Sequence, residues 1–323
     1  MDTLPVELIT RISFLACTDG GLTACSLSRV CRFVRAAACP ARYYSVSFDG
    51  ASLLPLRSFL SVYQAEQADK PRVHHLFIST FPLRGGELTP ILHSPEEYTA
   101  EVGTLLRTVS PALETLTCIG FRRSIPDLVA LGTVFPVLEE VTICDMPNPH
   151  RLDLHIPDVS RPLFPALRML HKWNRSIEPW WSAHAPGLTH IRISELLPHD
   201  FVLGPLPEGS AYRCLKQLIL QPRIRDLTVP FRAASFSWNP SSTTDRVPLC
   251  ILPLEQGAHR STAQFKRCHR TSRRQWIARL EGQPGCWGLP VLDGNTKIPQ
   301  VLGIVGWKDI VPSEIDCTAV YSR

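Results

Sequence analysis

The chain has 323 residues, 44% of them hydrophobic and 20% charged, with a mean hydropathy of +0.01 and a formal net charge of +5. That length and apolar content allow a substantial core and exclude collagen, coiled-coil and disordered-tail architectures. The anomaly is proline, with 29 residues, close to twice the roughly 5% of average usage. So many prolines cannot lie within long helices or central strands, which predicts many short elements with hard stops.

The N-terminus, Met1-Asp2-Thr3-Leu4-Pro5, carries an early acid and no cationic stretch, unlike a secretory signal. No run approaches the roughly 20 apolar residues of a membrane span, so the expectation is a cytoplasmic or nuclear protein without membrane contact. Eleven cysteines form no C-x-x-C pair and no zinc-ligand spacing. They read as reduced thiols serving as small core hydrophobes, with no metal or other cofactor implied. Asn174-Arg175-Ser176 is then a chance sequon. Charge is uneven: residues 221 to 290 hold eleven Lys and Arg against four Asp and Glu, so net basicity belongs to that late segment.

In chain order, Leu4, Leu8, Ile12 and Leu15 recur at the spacing of an amphipathic helix, with Pro5 in its first turn and Glu7 at the positive end of its dipole. Thr18-Asp19-Gly20-Gly21 supplies a break. A second helix is expected from Leu22 to Cys31, and a short third element runs through Val34 and Ala38 to Pro40. Three helices this short cannot bury all their apolar surface on one another, so a residual hydrophobic face implies a partner.

These residues resemble the F-box. The stretch Leu4-Pro5-x-Glu7-Leu8-x-x-x-Ile12-x-x-x-Leu15, followed by Leu27-Ser28-Arg29-Val30-Cys31-Arg32-Phe33-Val34-Arg35, is similar to the module that docks F-box proteins onto the Skp-type adaptor of a cullin–RING ubiquitin ligase. The continuation Ala41 to Phe48 is similar to the segment leading out of the box in fungal, basidiomycete-like members. The resemblance covers about Leu4 to Phe48. It implies an adaptor-facing or box-core surface made by Leu4, Pro5, Leu8, Ile12, Leu15, Leu27, Val30, Cys31, Phe33 and Val34. One position departs from the family: three residues after Cys31 an aromatic is usual, and here Val34 stands there with Phe33 one place early.

Beyond the box a unit Pro-x-Φ-x-x-Φ-x-Φ, with Φ apolar, recurs at Pro71/Val73/Leu76/Ile78, Pro111/Leu113/Leu116/Cys118 and Pro136/Leu138/Val141/Ile143. It continues at Pro165/Leu167/Leu170/Lys172 and Pro186/Leu188/Ile191/Ile193, and without proline at Leu215/Leu218/Leu220. Leads from Leu113 onward are separated by 25, 29, 21 and 27 residues, within the leucine-rich repeat range. The alternating tail suits a short strand, and the proline is expected to end the preceding helix. Ser94-Pro95-Glu96-Glu97 opens one such helix, with Tyr98, Val102, Leu105, Leu106 and Val109 on its apolar face. Units are irregular, because Phe121, Met146, Arg175, Leu196 and Arg223 occupy the place of the consensus Asn or Cys. Pro222-x-Ile224-x-x-Leu227 also fits but follows too closely to be another turn. The expected fold class is an α/β solenoid: a three-helix F-box-like module at 1–48 and an irregular leucine-rich-repeat-like array at 49–222. The competing reading is an ordinary α/β fold with strands at these spacings.

A last strand is expected at Val247 to Leu252. Residues 260 to 279 then carry seven Lys and Arg and no acid, with Phe265, Trp276, Ile277 and Leu280 forming the anchoring face of a helix. A basic stretch with an aromatic is one way to hold phosphate backbones, but a solvated cationic face on a helix capping the array is the commoner arrangement. The run Trp276 to Trp287 resembles the closing segment of fungal F-box proteins. Residues 223–290 therefore read as final strand and basic cap, and 291–323 as a tail without periodicity.

No Gly-x-Ser-x-Gly, Walker, His-Glu-x-x-His or Gly-x-Gly-x-x-Gly motif occurs. His74-His75 would point to opposite faces of a strand, and Cys268-His269 are sequence neighbours without dyad geometry. The chain is not expected to be an enzyme. The reading is a substrate-recognition subunit of a Skp–cullin–F-box ligase, binding the Skp-type adaptor, through it a cullin, and a protein substrate on the repeat surface. A non-catalytic repeat scaffold outside any ligase is the rival, and a nucleic-acid-associated protein the third reading.

Overall fold

A computed structural model describes residues 4–50, 52–65, 72–80, 95–120, 128, 131–145, 161–173, 180–196, 212–222, 249–251 and 262–287. Three short helices open it. In α1 (Val6–Ala16) the carbonyl of extended Pro5 accepts from Leu8 N and Ile9 N, and Glu7 lies in the first turn. Helix α2 (Leu22–Leu27) is fixed by Asp19, whose carboxylate accepts from Thr23 N and Thr23 Oγ1. It ends earlier than expected because extended Cys31 caps α3 (Arg32–Ala38), its sulfur accepting from Val34 N at 3.4 Å. A single 3-10 turn, Cys39–Ala41, closes the unit.

Eight strands follow in one sheet, all parallel and ordered as in the sequence. They are β1 (Ser45–Asp49), β2 (His75–Ser79), β3 (Thr115–Gly120), β4 (Glu140–Asp145), β5 (Met169–Trp173), β6 (His190–Leu196), β7 (Gln217–Pro222) and β8 (Leu249–Ile251). The recurring apolar position forms one row across the sheet, Val46, Leu76, Leu116, Val141, Leu170, Ile191, Leu218 and Leu249 being successive partners. Strand β1 is an addition to the sequence reading. The boundary expected at residue 48 falls inside it, since Val46 pairs with Leu76 and continues the row. Ahead of the strands, single carbonyls accept from two successive amides of the next unit. His74 O takes Glu114 N and Thr115 N, Glu114 O takes Glu139 N and Glu140 N, and Glu139 O takes Arg168 N and Met169 N. The chain reversals are thereby satisfied without side chains.

The prolines follow the expectation only in part. Pro136, Pro165 and Pro186 each begin a two-residue turn ahead of a strand, Pro111 lies inside a turn over residues 110–112, and among the described residues Pro111 and Pro186 follow a helix. Leu167 N donates to Phe164 O and Leu188 N to Ala185 O, both at 3.2 Å, closing turns with proline second. There the ring's fixed φ of about −65° is already correct. In the unit without proline Arg213 takes the place, and Leu215 N donates to Tyr212 O at 3.1 Å. Their shared place is in a turn, and Pro111 and Pro186 also stand two residues beyond the ends of the helices Pro95–Val109 and Trp180–His184, as expected of helix-ending prolines. Pro71 and the competing match at Ile224 lie outside the described residues.

Right-handed crossovers between sequential parallel neighbours favour connections on one face. Helices α4 (Leu53–Ala65), α5 (Pro95–Val109) and α6 (Trp180–His184) accordingly pack on the face bearing Leu76, Leu116, Val141 and Leu170. Helix α5 buries the predicted set, Tyr98, Val102, Leu105, Leu106 and Val109. Each such aliphatic side chain contributes about 1.5–3 kcal/mol over exposure. Among the described residues, helices on this layer follow β1, β2 and β5. Elsewhere Leu128, Phe135, Leu163 and Phe164 fill the same layer, and the rings of Phe135, Phe164 and Trp181 stand 5.6 and 5.5 Å apart in series. The class is α/β, with a parallel sheet whose other face is left for α7 (Thr262–Leu280).

Candidate docking face and covered sheet face

The stripe of α1 faces outward. Leu4, Leu8, Ile12 and Leu15 are 46%, 48%, 53% and 74% exposed, while the buried residue of the helix is Ser13. Polar side chains can face inward because they find backbone acceptors: Ser13 Oγ donates to Ile9 O and Thr10 Oγ1 to Ala37 O, both at 2.8 Å. The inner contact is made by small residues, Cys17, Ala24 and Ala41, with half-buried Phe14 and Leu27 packed on them. Pro5, Val30, Cys31 and Phe33 are exposed. Val34 is buried, so it belongs to the inside of the unit and Phe33 to its surface. The register that puts an aromatic one place early thus turns that aromatic outward. Of the eleven large hydrophobics exposed among the described residues, eight lie between Leu4 and Phe33. The apolar exposure of the molecule is concentrated there.

This helical unit is joined firmly to the sheet. Ser45 Oγ donates to Cys17 O at 2.5 Å and accepts from Gly20 N at 3.1 Å, and Ser47 N donates to Gly20 O at 3.2 Å. Gly20 has φ +84°, and a Cβ there would lie 2.4 Å from Ser47 Oγ. Only glycine allows that approach. Phe14 and Tyr44 meet edge to face at 5.3 Å.

Helix α7 is not a cap beyond the last strand. It lies across the second sheet face, where Cys268 and Trp276, with Ile277 and Leu280, pack on Phe77, Ile119, Cys144 and Trp173. Two of its described cations, Arg273 and Arg279, are paired with carboxylates of the sheet. Arg273 Nη1 donates to Asp49 Oδ2 at 2.8 Å, His269 Nε2 lies 3.0 Å from Asp49 Oδ1, and Arg273 Nη2 reaches Asp19 O at 3.2 Å. Arg279 Nε donates to Glu140 Oε2 at 2.8 Å, and Trp287 Nε1 to Glu140 Oε1 at 2.9 Å. Arg192 Nη1 then holds Cys286 O, and its Nη2 Gln221 Oε1 at 2.9 Å. The strap therefore runs from the first strand to the seventh, and Arg270 and Arg274 are left exposed. The burial of Phe265 lies outside the described residues. Beneath the strap, Ser272 Oγ, Gln275 Oε1, Trp276 Nε1, His171 Nδ1 and Trp173 Nε1 are buried without hydrogen-bond partners, each at a cost of about 1–3 kcal/mol.

At the strand starts a cavity of about 420 Å³ opens between Glu139, Arg168, Met169, His190, Lys216 and Arg279. Burial and the charge of Lys216 lower the His190 pKa below its ordinary value. His74 Nδ1 meets Glu114 Oε1 at 2.8 Å and His75 Nδ1 meets Thr115 Oγ1 at 3.0 Å, so each has its own partner. Cys268 and His269 diverge, one toward Cys144 and the other toward Asp49. Five of the nine described cysteines are buried; Cys25, Cys31, Cys39 and Cys214 are exposed, against the expectation of core thiols. Burial, with Asp19 nearby, pushes Cys17 up to about 11, and burial pushes Cys118 and Cys286 to about 12, so these stay protonated and unreactive. Among the described residues no group of three or more His, Cys, Asp and Glu is arranged to hold a metal, and no helix is long and apolar enough to cross a membrane. No family model, curated protein or solved structure matches the chain.

Proposed function

We propose that the protein is a substrate-recognition subunit of a Skp–cullin–F-box ubiquitin ligase, whose first three helices dock on a Skp-type adaptor. The observation that carries this reading is the outward apolar face of α1, continued by Leu22, Val30 and Phe33. A helix that turns its large aliphatics to water and its serine inward lacks a partner in the isolated chain. The F-box resemblance supplies the chemistry of that partner, an apolar helical adaptor. The in-register rows of β2 to β7 support reading the array as an irregular leucine-rich-repeat-like solenoid. Its part in ubiquitin transfer would be proximity, holding a protein substrate near the loaded conjugating enzyme. Because α7 covers much of the second sheet face, substrate would be met at the strand starts around Glu139, Arg168 and Lys216.

The second reading, a repeat scaffold outside any ligase, is favoured by that same strap, which hides surface a substrate-binding array would offer. Reconstitution with a purified Skp-type adaptor separates the two. A stable complex that is lost in the Leu8→Asp, Ile12→Asp double variant is expected. Absence of a complex, or one indifferent to those substitutions, overturns the ligase reading.

A further inference from the structure

We propose that Cys144 and Cys268 form an oxidative modification site, a reversible disulfide that fastens α7 to the sheet. Cys144 stands on β4 and Cys268 on α7, 124 residues apart in sequence, with their Sγ atoms 2.8 Å apart. Both side chains are buried, at 0% and 5% exposure, among Phe77, Ile119, Trp173 and Trp276. A helix and a strand that bring two thiols into contact across so long a separation hold them where a bond can form without moving the backbone far.

The bond has something to control. The five polar atoms buried without partners under the strap would regain water if α7 lifted, which lowers the cost of a lifted state. Lifting also admits an oxidant to thiols that are enclosed when the helix is seated. With glutathione disulfide as oxidant, one protein thiolate attacks it and releases a glutathione thiolate. The second protein thiolate then attacks the protein sulfur of the mixed disulfide and releases the other. Two protons leave the protein thiols, two electrons pass to glutathione, and one sulfur–sulfur bond replaces another. The oxidised protein keeps its second sheet face covered; the reduced one can yield it to a partner. This inference does not depend on the ligase reading.

The test uses the full chain in glutathione buffers of graded potential, with thiols trapped by alkylation under denaturing conditions and mapped by peptide mass. The expected result is a 144–268 crosslinked peptide forming at potentials where Cys25, Cys31, Cys39 and Cys214 are still alkylated. Amide exchange across residues 268–280 should slow at least tenfold on oxidation and recover with dithiothreitol. The Cys144→Ser variant, exposed to the same buffers, should show no redox dependence of that exchange. Crosslinks scattered over the exposed cysteines, both buried thiols alkylated at every potential, or a crosslink without change in exchange would each overturn the proposal.

Discussion

Replacing Asp49 and Arg273 by alanine, singly and together, asks whether α7 is fastened to the first strand. The pair is 2.8 Å apart with side chains 17% and 13% exposed, between the surface regime of about 0–1 kcal/mol and the buried regime, where breaking one partner costs about 3–5 kcal/mol. Asp49→Ala also strips His269 of its acceptor, so about 2–3 kcal/mol is expected for the single change. Arg273→Ala forfeits in addition the Asp19 carbonyl and a guanidinium 5.5 Å above the Phe77 ring, which is why a cycle is needed. The coupling energy should be about 1–2 kcal/mol by urea unfolding. Asp49→Ala alone should lower Tm by about 5–10 °C, given roughly 2–4 °C per kcal/mol in domains of this order. Additivity of the two single changes within about 0.5 kcal/mol would show that the contact does not exist in solution and that α7 lies elsewhere.

Leu8→Asp with Ile12→Asp should shift the stability of the free chain by about 1 kcal/mol or less, because both positions are already half exposed; a collapsed thermal transition would mean that this face is packed. Gly20→Ala should cost about 2–4 kcal/mol, combining a positive φ with a Cβ driven into Ser47, and a wild-type denaturation midpoint would refute the joint described for α1 to β1. Burial, aided by His74, holds His75 down to about 3, and burial beside Arg192 holds His171 well below its usual value. Unfolded, both titrate near 6.5, so below that pH the unfolded state takes up protons that the folded state refuses. Stability is then full above pH 6.5 and declines toward pH 3, by about 2 kcal/mol at pH 5 for His75, with His171 acting in the same direction. Equal urea midpoints at pH 7.5 and 5.0 would contradict this.

The strands and α5 were readable because their information is local. Leu76-x-Ile78 or Ile191-x-Ile193 alternates within three residues, and Tyr98 to Val109 repeats at helical spacing. Strand β1 lacks a leading proline, and its Ser45-Val46-Ser47-Phe48 alternation is too brief to stand out beside helices. The location of α7 was not legible at all, since its partners Asp49 and Cys144 lie 220 and 124 residues away from His269 and Cys268. The stripe of α1 was read from spacing, but spacing cannot say which way a stripe faces. Orientation was settled by Thr10 and Ser13, whose hydroxyls satisfy themselves on carbonyls and so tolerate the inside. A polar pair at i and i+3 opposite an aliphatic row is the cue that would have shown it.

The bond from Ser47 N to Gly20 O has a consequence for handling the molecule. Strand β1 is the outermost in its sheet, paired with β2 on one side, and an open parallel edge is a template for other chains. Gly20 and the helices behind it occupy that edge, so the unit that exposes an apolar face also keeps the sheet from recruiting copies of itself. Removing the first 44 residues to obtain the array alone would trade a sticky patch for a sticky border, and the shortened protein should aggregate more readily than the whole.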